Sequence, residues 1–158
     1  HRRRLGQAQG HGGAMIDWSA IVWHHSATKD GDNNDWEAIR RYHIETKGWR
    51  NIGYHWGIER ENGVIVVREG RPLNWEGGHC VGWNKIALGI CIVGNFDLAP
   101  PDADILAAAV NLGRDIMATF PAITPERSFY HRQFVTGKQC PGKLFPDLSD
   151  FRARLANG

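Results

Sequence analysis

Four side chains stand out as ligands for a borderline-soft cation: His24 and His25 in the run WHHSAT, His131 in YHRQF, and Cys140, which lies nine residues further on and precedes Pro141. Zinc enzymes hold their metal with three nitrogen, sulfur or oxygen ligands and leave a fourth position for water or substrate. Two imidazoles and a thiolate make such a set. Successive side chains on a strand point to opposite faces, so only one of His24 and His25 can join His131 and Cys140 at a metal, and spacing does not choose between them. The same residues admit two other readings. Cys140 is a possible nucleophile with His131 as its base, or the histidines are hydrogen-bonded core residues beside a buried thiol.

The elements that must position these groups follow from pattern. Residues 20–23 form a short β-prone apolar run leading into His24, and the polar cluster KDGDNND after it is a loop. Asp35 N-caps a helix through about Lys47, with Trp36, Ile39, Arg40 and His43 at helical spacing and Gly48 as the stop. His43 is expected on the surface of that helix. A strand over 53–60 turns at Glu61-Asn62-Gly63 into a second over 64–68, which is a β-hairpin. Residues 69–85, rich in Gly and Trp, form a long loop of the kind that is usually functional. The apolar run 86–94 predicts a central strand buried on both faces and makes Cys91 an inert core residue. A helix over 103–119, a short strand over 128–131 and a last helix over 147–155 complete the chain. The order predicts a single-domain α/β sandwich with a central mixed β-sheet flanked by helices.

Composition narrows the partners. The chain has 158 residues, of which 42% are apolar, the make-up of one globular domain. No run approaches the roughly 18 apolar residues that cross a bilayer, so no membrane partner is expected. The net charge of +2 comes from Arg2, Arg3 and Arg4, in a stretch without an acid. Without them 16 basic side chains face 17 acidic ones, which is a poor phosphate-binding surface and argues against nucleic acid. Three cysteines are too few and too odd for a disulfide framework. Residues 1–14 carry basic groups with no apolar stretch after them, so they read as a tag remnant or flexible tail rather than a secretory signal, with the folded domain at 15–158.

The segments WHHSAT, NIGYHWGIERENG, GGHCVGWN, IALGICIVG and YHRQFVTGKQCPG, in this order and at these separations, resemble the zinc-dependent type 2 N-acetylmuramoyl-L-alanine amidases. That family includes small phage lysozymes of the amidase kind and the peptidoglycan-recognition proteins, and the likeness spans about residues 21–155. It implies that His24, His131 and Cys140 hold one zinc ion and that His25 faces the other way. It makes Tyr54 and Lys138 the catalytic residues, and sets His79, Trp83 and Asn84 along the groove for the stem peptide and sugar. The implied reaction is hydrolysis by a zinc-activated water of the amide between the lactyl group of N-acetylmuramic acid and L-alanine in peptidoglycan. Such an enzyme would be a bacteriolytic endolysin, a monomer kept in the cytoplasm of an infected or lysogenic bacterium until lysis. The alternative within the family is a non-catalytic peptidoglycan-binding module, which typically lacks a zinc ligand. No carboxylate stands in these motifs, so proton transfer falls to Tyr54, Lys138, His55 or the water itself. Cys80 has no assigned part.

Overall fold

The computed structural model describes residues 14–28 and 35–157, so residues 1–13 of the expected tail lie outside the described part. Five strands form one sheet: β1 (Ala20–His25), β2 (Trp56–Glu61), β3 (Val64–Glu69), β4 (Ala87–Ile92) and β5 (Ser128–Tyr130), in the spatial order β3-β2-β4-β1-β5. Neighbours run parallel except β3, which pairs antiparallel with β2. Three α-helices accompany them: α1 (Asp35–Arg41), α2 (Ala103–Thr119) and α3 (Leu148–Ala156). The fold is the expected α/β type with a mixed sheet.

β1 and β4 are buried at all six positions each, as near-continuous apolar runs in a covered parallel sheet should be. The hairpin closes at Asn62 and Gly63, both with positive φ (51° and 77°), the two-residue turn whose twist matches paired strands. The main core lies on one side of the sheet. Ile21 and Trp23 of β1 and Leu88, Ile90 and Ile92 of β4 pack there with Leu106, Ala109 and Ile116 of α2 and Phe151 and Leu155 of α3. Gly113 lets α2 approach, because a Cβ there would stand 2.6 Å from Leu155 and 3.2 Å from Trp23.

Two local expectations change. The strand expected from residue 53 starts at Trp56: the carbonyls of the preceding residues accept from loop N–H groups, although the His55 N–H still donates to Gly89 O of β4 at 2.9 Å. Gly78 N–H donates to Gly53 O at 2.9 Å, Arg71 N–H to Tyr54 O at 2.9 Å and Gly70 N–H to His55 O at 2.9 Å. The first helix passes after Arg41 into a π-helical turn, Tyr42–Thr46. His43, expected on the surface, lies in that turn and faces inward. The residue is 9% exposed, and its Nδ1 accepts the Gly53 N–H at 3.0 Å. Helical turns of this kind are frequent near functional sites.

Candidate metal centre and groove

Parallel strands gather their carboxyl ends at one edge of a sheet, and loops leaving those ends share a crevice. Here β1 and β5 pair with Trp23 opposite Tyr130, so the next residues, His24 and His131, come level. Their ring centroids are 4.4 Å apart. The loop after His131 folds back: Arg132 N–H donates to Cys140 O at 2.8 Å, and His25 N–H donates to the Cys140 Sγ at 3.3 Å. One donor atom each from His24, His131 and Cys140 then lies within 4.8 Å of the others, the one such group of histidine, cysteine and acidic side chains among the described residues. Two borderline nitrogens and one soft sulfur at this spacing suit zinc, and with three protein donors the fourth position stays open.

His25 stands apart from that group. Its Nδ1 accepts the Phe96 N–H at 3.2 Å and its ring stacks on Phe96 at 6.0 Å. Tyr54 sits beside the centre, its ring 5.1 Å from that of His24. Lys138 is exposed and lines the same groove, a cavity of about 860 Å³. His79 and Asn84 also border it, whereas Trp83 turns away to pack on Phe134 (4.5 Å) and Phe129 (5.1 Å). Asn84 spends its side-chain oxygen on the protein, accepting the His79 and Cys80 N–H groups at 2.8 and 2.9 Å. His79 is committed too, with its Nδ1 2.9 Å from His24 Nε2 and its Nε2 3.0 Å from Ala87 O. Both ring nitrogens of His55 are likewise occupied: Nε2 donates to Trp75 O at 3.0 Å and Nδ1 accepts the Gly89 N–H at 3.1 Å. That leaves His55 poorly placed to shuttle a proton to substrate.

Burial sets the charge of these groups. It holds His24 well below the ordinary imidazole range, helped by His79 and His131, and holds His131 down with help from the Lys138 ammonium. Burial and the neighbouring His55 bring His79 to about 3. A cluster of neutral imidazoles refuses protons and suits a cation. Burial pushes the Tyr54 hydroxyl well above its ordinary value, so it is a donor at working pH. Burial also raises the Cys140 thiol to about 11, which is opposite to what a metal-free thiolate nucleophile requires and counts against the thiol-hydrolase reading.

Two groove residues escaped sequence reasoning. Asp97 lines it; burial lowers the His25 imidazole and Asp97 partly offsets that, while burial raises the Cys140 thiol and Asp97 adds to the rise, and its Oδ1 accepts the Lys143 N–H at 2.9 Å. No motif marked it. His43 also lines the groove, and its signal was present, since it shares a helical face with buried Trp36.

Residues 15–143 match the family model described as N-acetylmuramoyl-L-alanine amidase. The chain is 33% identical over 123 residues to the endolysin of Escherichia phage T7, covering 77% of this chain and 79% of that protein. It is 30% identical over 129 residues to peptidoglycan-recognition protein SC1a of Drosophila melanogaster, covering 78% of this chain and 68% of that one. Among solved structures, the N-acetylmuramoyl-L-alanine amidase LysC from Clostridium intestinale URNW superposes with a TM-score of 0.74 at 30% identity, covering 89% and 87% of the two chains. A match that runs from before β1 to beyond Cys140 takes in the whole crevice, and the chain therefore belongs to the N-acetylmuramoyl-L-alanine amidase family.

Proposed function

We propose that the protein is a zinc-dependent peptidoglycan hydrolase that cleaves the amide between the lactyl group of N-acetylmuramic acid and the L-alanine of the stem peptide. The observation that carries this reading is the convergence of His24, His131 and Cys140 in a groove that Tyr54 and Lys138 also line. Zinc in a His-His-Cys set supplies Lewis acidity at the amide carbonyl and makes water a nucleophile near neutral pH. Tyr54 and Lys138 donate to the negative charge that grows on the carbonyl oxygen, one through a hydroxyl kept protonated by burial and the other through an ammonium at the groove edge. A cavity of about 860 Å³ is large enough for a sugar with its attached peptide.

Likeness to the phage endolysin supports a lytic role, acting from the cytoplasm of an infected or lysogenic bacterium. Among the described residues no helix is long and apolar enough to cross a membrane. One chain brings every proposed ligand and donor, so the working unit we propose is a monomer. The second reading, a module that binds peptidoglycan without cutting it, draws on the likeness to peptidoglycan-recognition proteins. Mass spectrometry of purified peptidoglycan after incubation separates the two. Release of free stem peptides beginning with L-alanine from intact glycan, abolished by a chelator and restored by zinc, is the expected result. Tight binding with no released peptide would establish the binding module instead.

A further inference from the structure

The ring of His79 occupies a seat shaped around it. A Cβ at Gly89 of β4 would stand 2.5 Å from the ring's Cγ and Cδ2, and one at Gly77 would collide with the ring from its other neighbouring segment. Asn84 pins the backbone of His79 and Cys80. So held, Nε2 of His79 meets the Ala87 carbonyl at 3.0 Å and Nδ1 meets Nε2 of His24 at 2.9 Å.

The protons in this chain can be assigned by elimination. A carbonyl oxygen only accepts, so His79 Nε2 carries a hydrogen and donates it. A neutral imidazole has a single N–H, which makes His79 Nδ1 an acceptor. His24 Nε2 must then be the donor to it, and the free lone pair of His24 falls on Nδ1. We infer that His79 is a positioning residue that fixes the tautomer and orientation of His24, presenting the Nδ1 lone pair of His24 to a bound zinc ion, and that it does not contact substrate.

This inference rests on the zinc-amidase reading. Metal-binding histidines generally donate their second N–H to a carboxylate, a carbonyl or water, and that outer partner sets ligand orientation and basicity. Here a second imidazole takes the part and passes the load to β4, which pairs with the strand that bears His24. The two glycines gain their purpose in the same way: each gives up a side chain so that the ring can lie between the loop and the sheet.

Zinc affinity, measured by competition with a chromogenic chelator on the folded full chain, tests the inference. His79→Leu should weaken zinc binding by about 10- to 100-fold with an unchanged far-ultraviolet circular dichroism spectrum. His79→Asn, whose amide oxygen stands near the place of Nδ1, should recover most of that loss. In metal-free wild-type protein, nitrogen NMR of the histidine rings should find the His24 proton on Nε2. Equal zinc affinity in wild type and His79→Leu overturns the inference, as does a His24 proton on Nδ1. Loss of muropeptide binding by His79→Leu with zinc affinity intact also overturns it, by making His79 a substrate contact. If His79→Leu does not fold, the wild-type ring spectrum decides alone. A wild-type chain that takes up no zinc fails differently, because it refutes the amidase reading itself.

Discussion

On β1, Ile21 and Trp23 join the helices of the main core while Val22 and His24 face the groove side, and on β4 the same alternation sets Leu88, Ile90 and Ile92 against Gly89 and Cys91. One face is filled by large apolar side chains in contact with α2 and α3. The other is stripped to small residues, because it must admit bulky groups from outside the sheet: Gly89 admits His79, and Gly57 of β2 admits Trp36. The first face gains stability from area removed from water. The second gives up some of that area for buried imidazoles, each of which needs a hydrogen-bond partner to be tolerated. Two neighbouring residues of one strand should therefore fail in different ways.

His24→Ala and Trp23→Ala are the strongest test of that division. His24→Ala should lose its zinc and all measurable turnover while its unfolding free energy, compared with metal-free wild type, falls by only about 1–3 kcal/mol through the partner lost by His79 Nδ1. Trp23→Ala removes a fully buried ring that packs edge-on against Phe151 at 4.9 Å and whose Nε1 donates to Ser128 Oγ at 2.7 Å. It should cost about 3–5 kcal/mol in denaturant unfolding, yet its folded fraction should still hold one zinc. Metal content and unfolding free energy on both variants check this, and a Trp23→Ala protein that is stable but metal-free would break the comparison.

Within the groove, the two proposed oxyanion donors should affect turnover alone. Tyr54→Phe and Lys138→Ala are each expected to lower kcat by about 100- to 1,000-fold. Zinc content and muropeptide affinity should stay near wild type. If Tyr54 were only a packing aromatic, its variant would keep turnover and lose about 1 kcal/mol of stability through the missing hydrogen bond between its hydroxyl and Cys91.

Acid should attack the groove side first. Burial lowers the His55 imidazole to about 4, and burial with Lys47 and Arg71 nearby lowers His43 to about 4. An unfolded chain takes up protons at these rings from about pH 6.5 downward, whereas the folded chain resists until about pH 4. Their contribution to stability is thus fully present above pH 6.5 and is lost as the pH falls from 6.5 to 4. His55 alone accounts for roughly 3 kcal/mol over that window, given 1.36 kcal/mol for each pH unit. Unfolding free energies of the metal-free protein at pH 7, 5.5 and 4 measure the summed slope, and a neutral His55→Gln should lower that slope by about one proton while His43 and His79 keep the rest.

Much of this was legible in the residues. The short apolar run of β1, the longer one of β4 and the 17-residue span of α2 are local patterns, and the structure keeps them because burial reinforces each one. The hairpin was readable from Asn62-Gly63 for the same reason. What the sequence could not disclose is direction. Trp83 and Asn84 stand side by side in a loop, yet one ring packs on Phe129 and Phe134 and one amide braces the backbone at 79 and 80. Such outcomes depend on contacts between segments far apart in the chain, which leave no period. His43 differs, since its helical spacing from Trp36 already put it on the inward face, and only its polarity suggested the surface.

The smallest effect is expected at His25, and it tests the division most closely because His25 is adjacent in sequence to His24. Its ring is buried, accepts the Phe96 N–H at 3.2 Å and stacks on Phe96, while only its backbone reaches Cys140, the N–H donating to Sγ at 3.3 Å and the carbonyl accepting from Sγ at 3.8 Å. His25→Ala leaves a buried amide hydrogen without its acceptor, a cost of about 1–3 kcal/mol. The backbone bond to Cys140 Sγ survives the substitution, so the sulfur stays in place and zinc content should remain near one per chain. His25→Asn, which can still accept from Phe96, should recover part of the stability and leave the metal unchanged. If His25→Ala instead lost zinc as fully as His24→Ala does, the two faces of β1 would not be separate in function, and the metal centre would depend on packing around Phe96 as much as on its ligands.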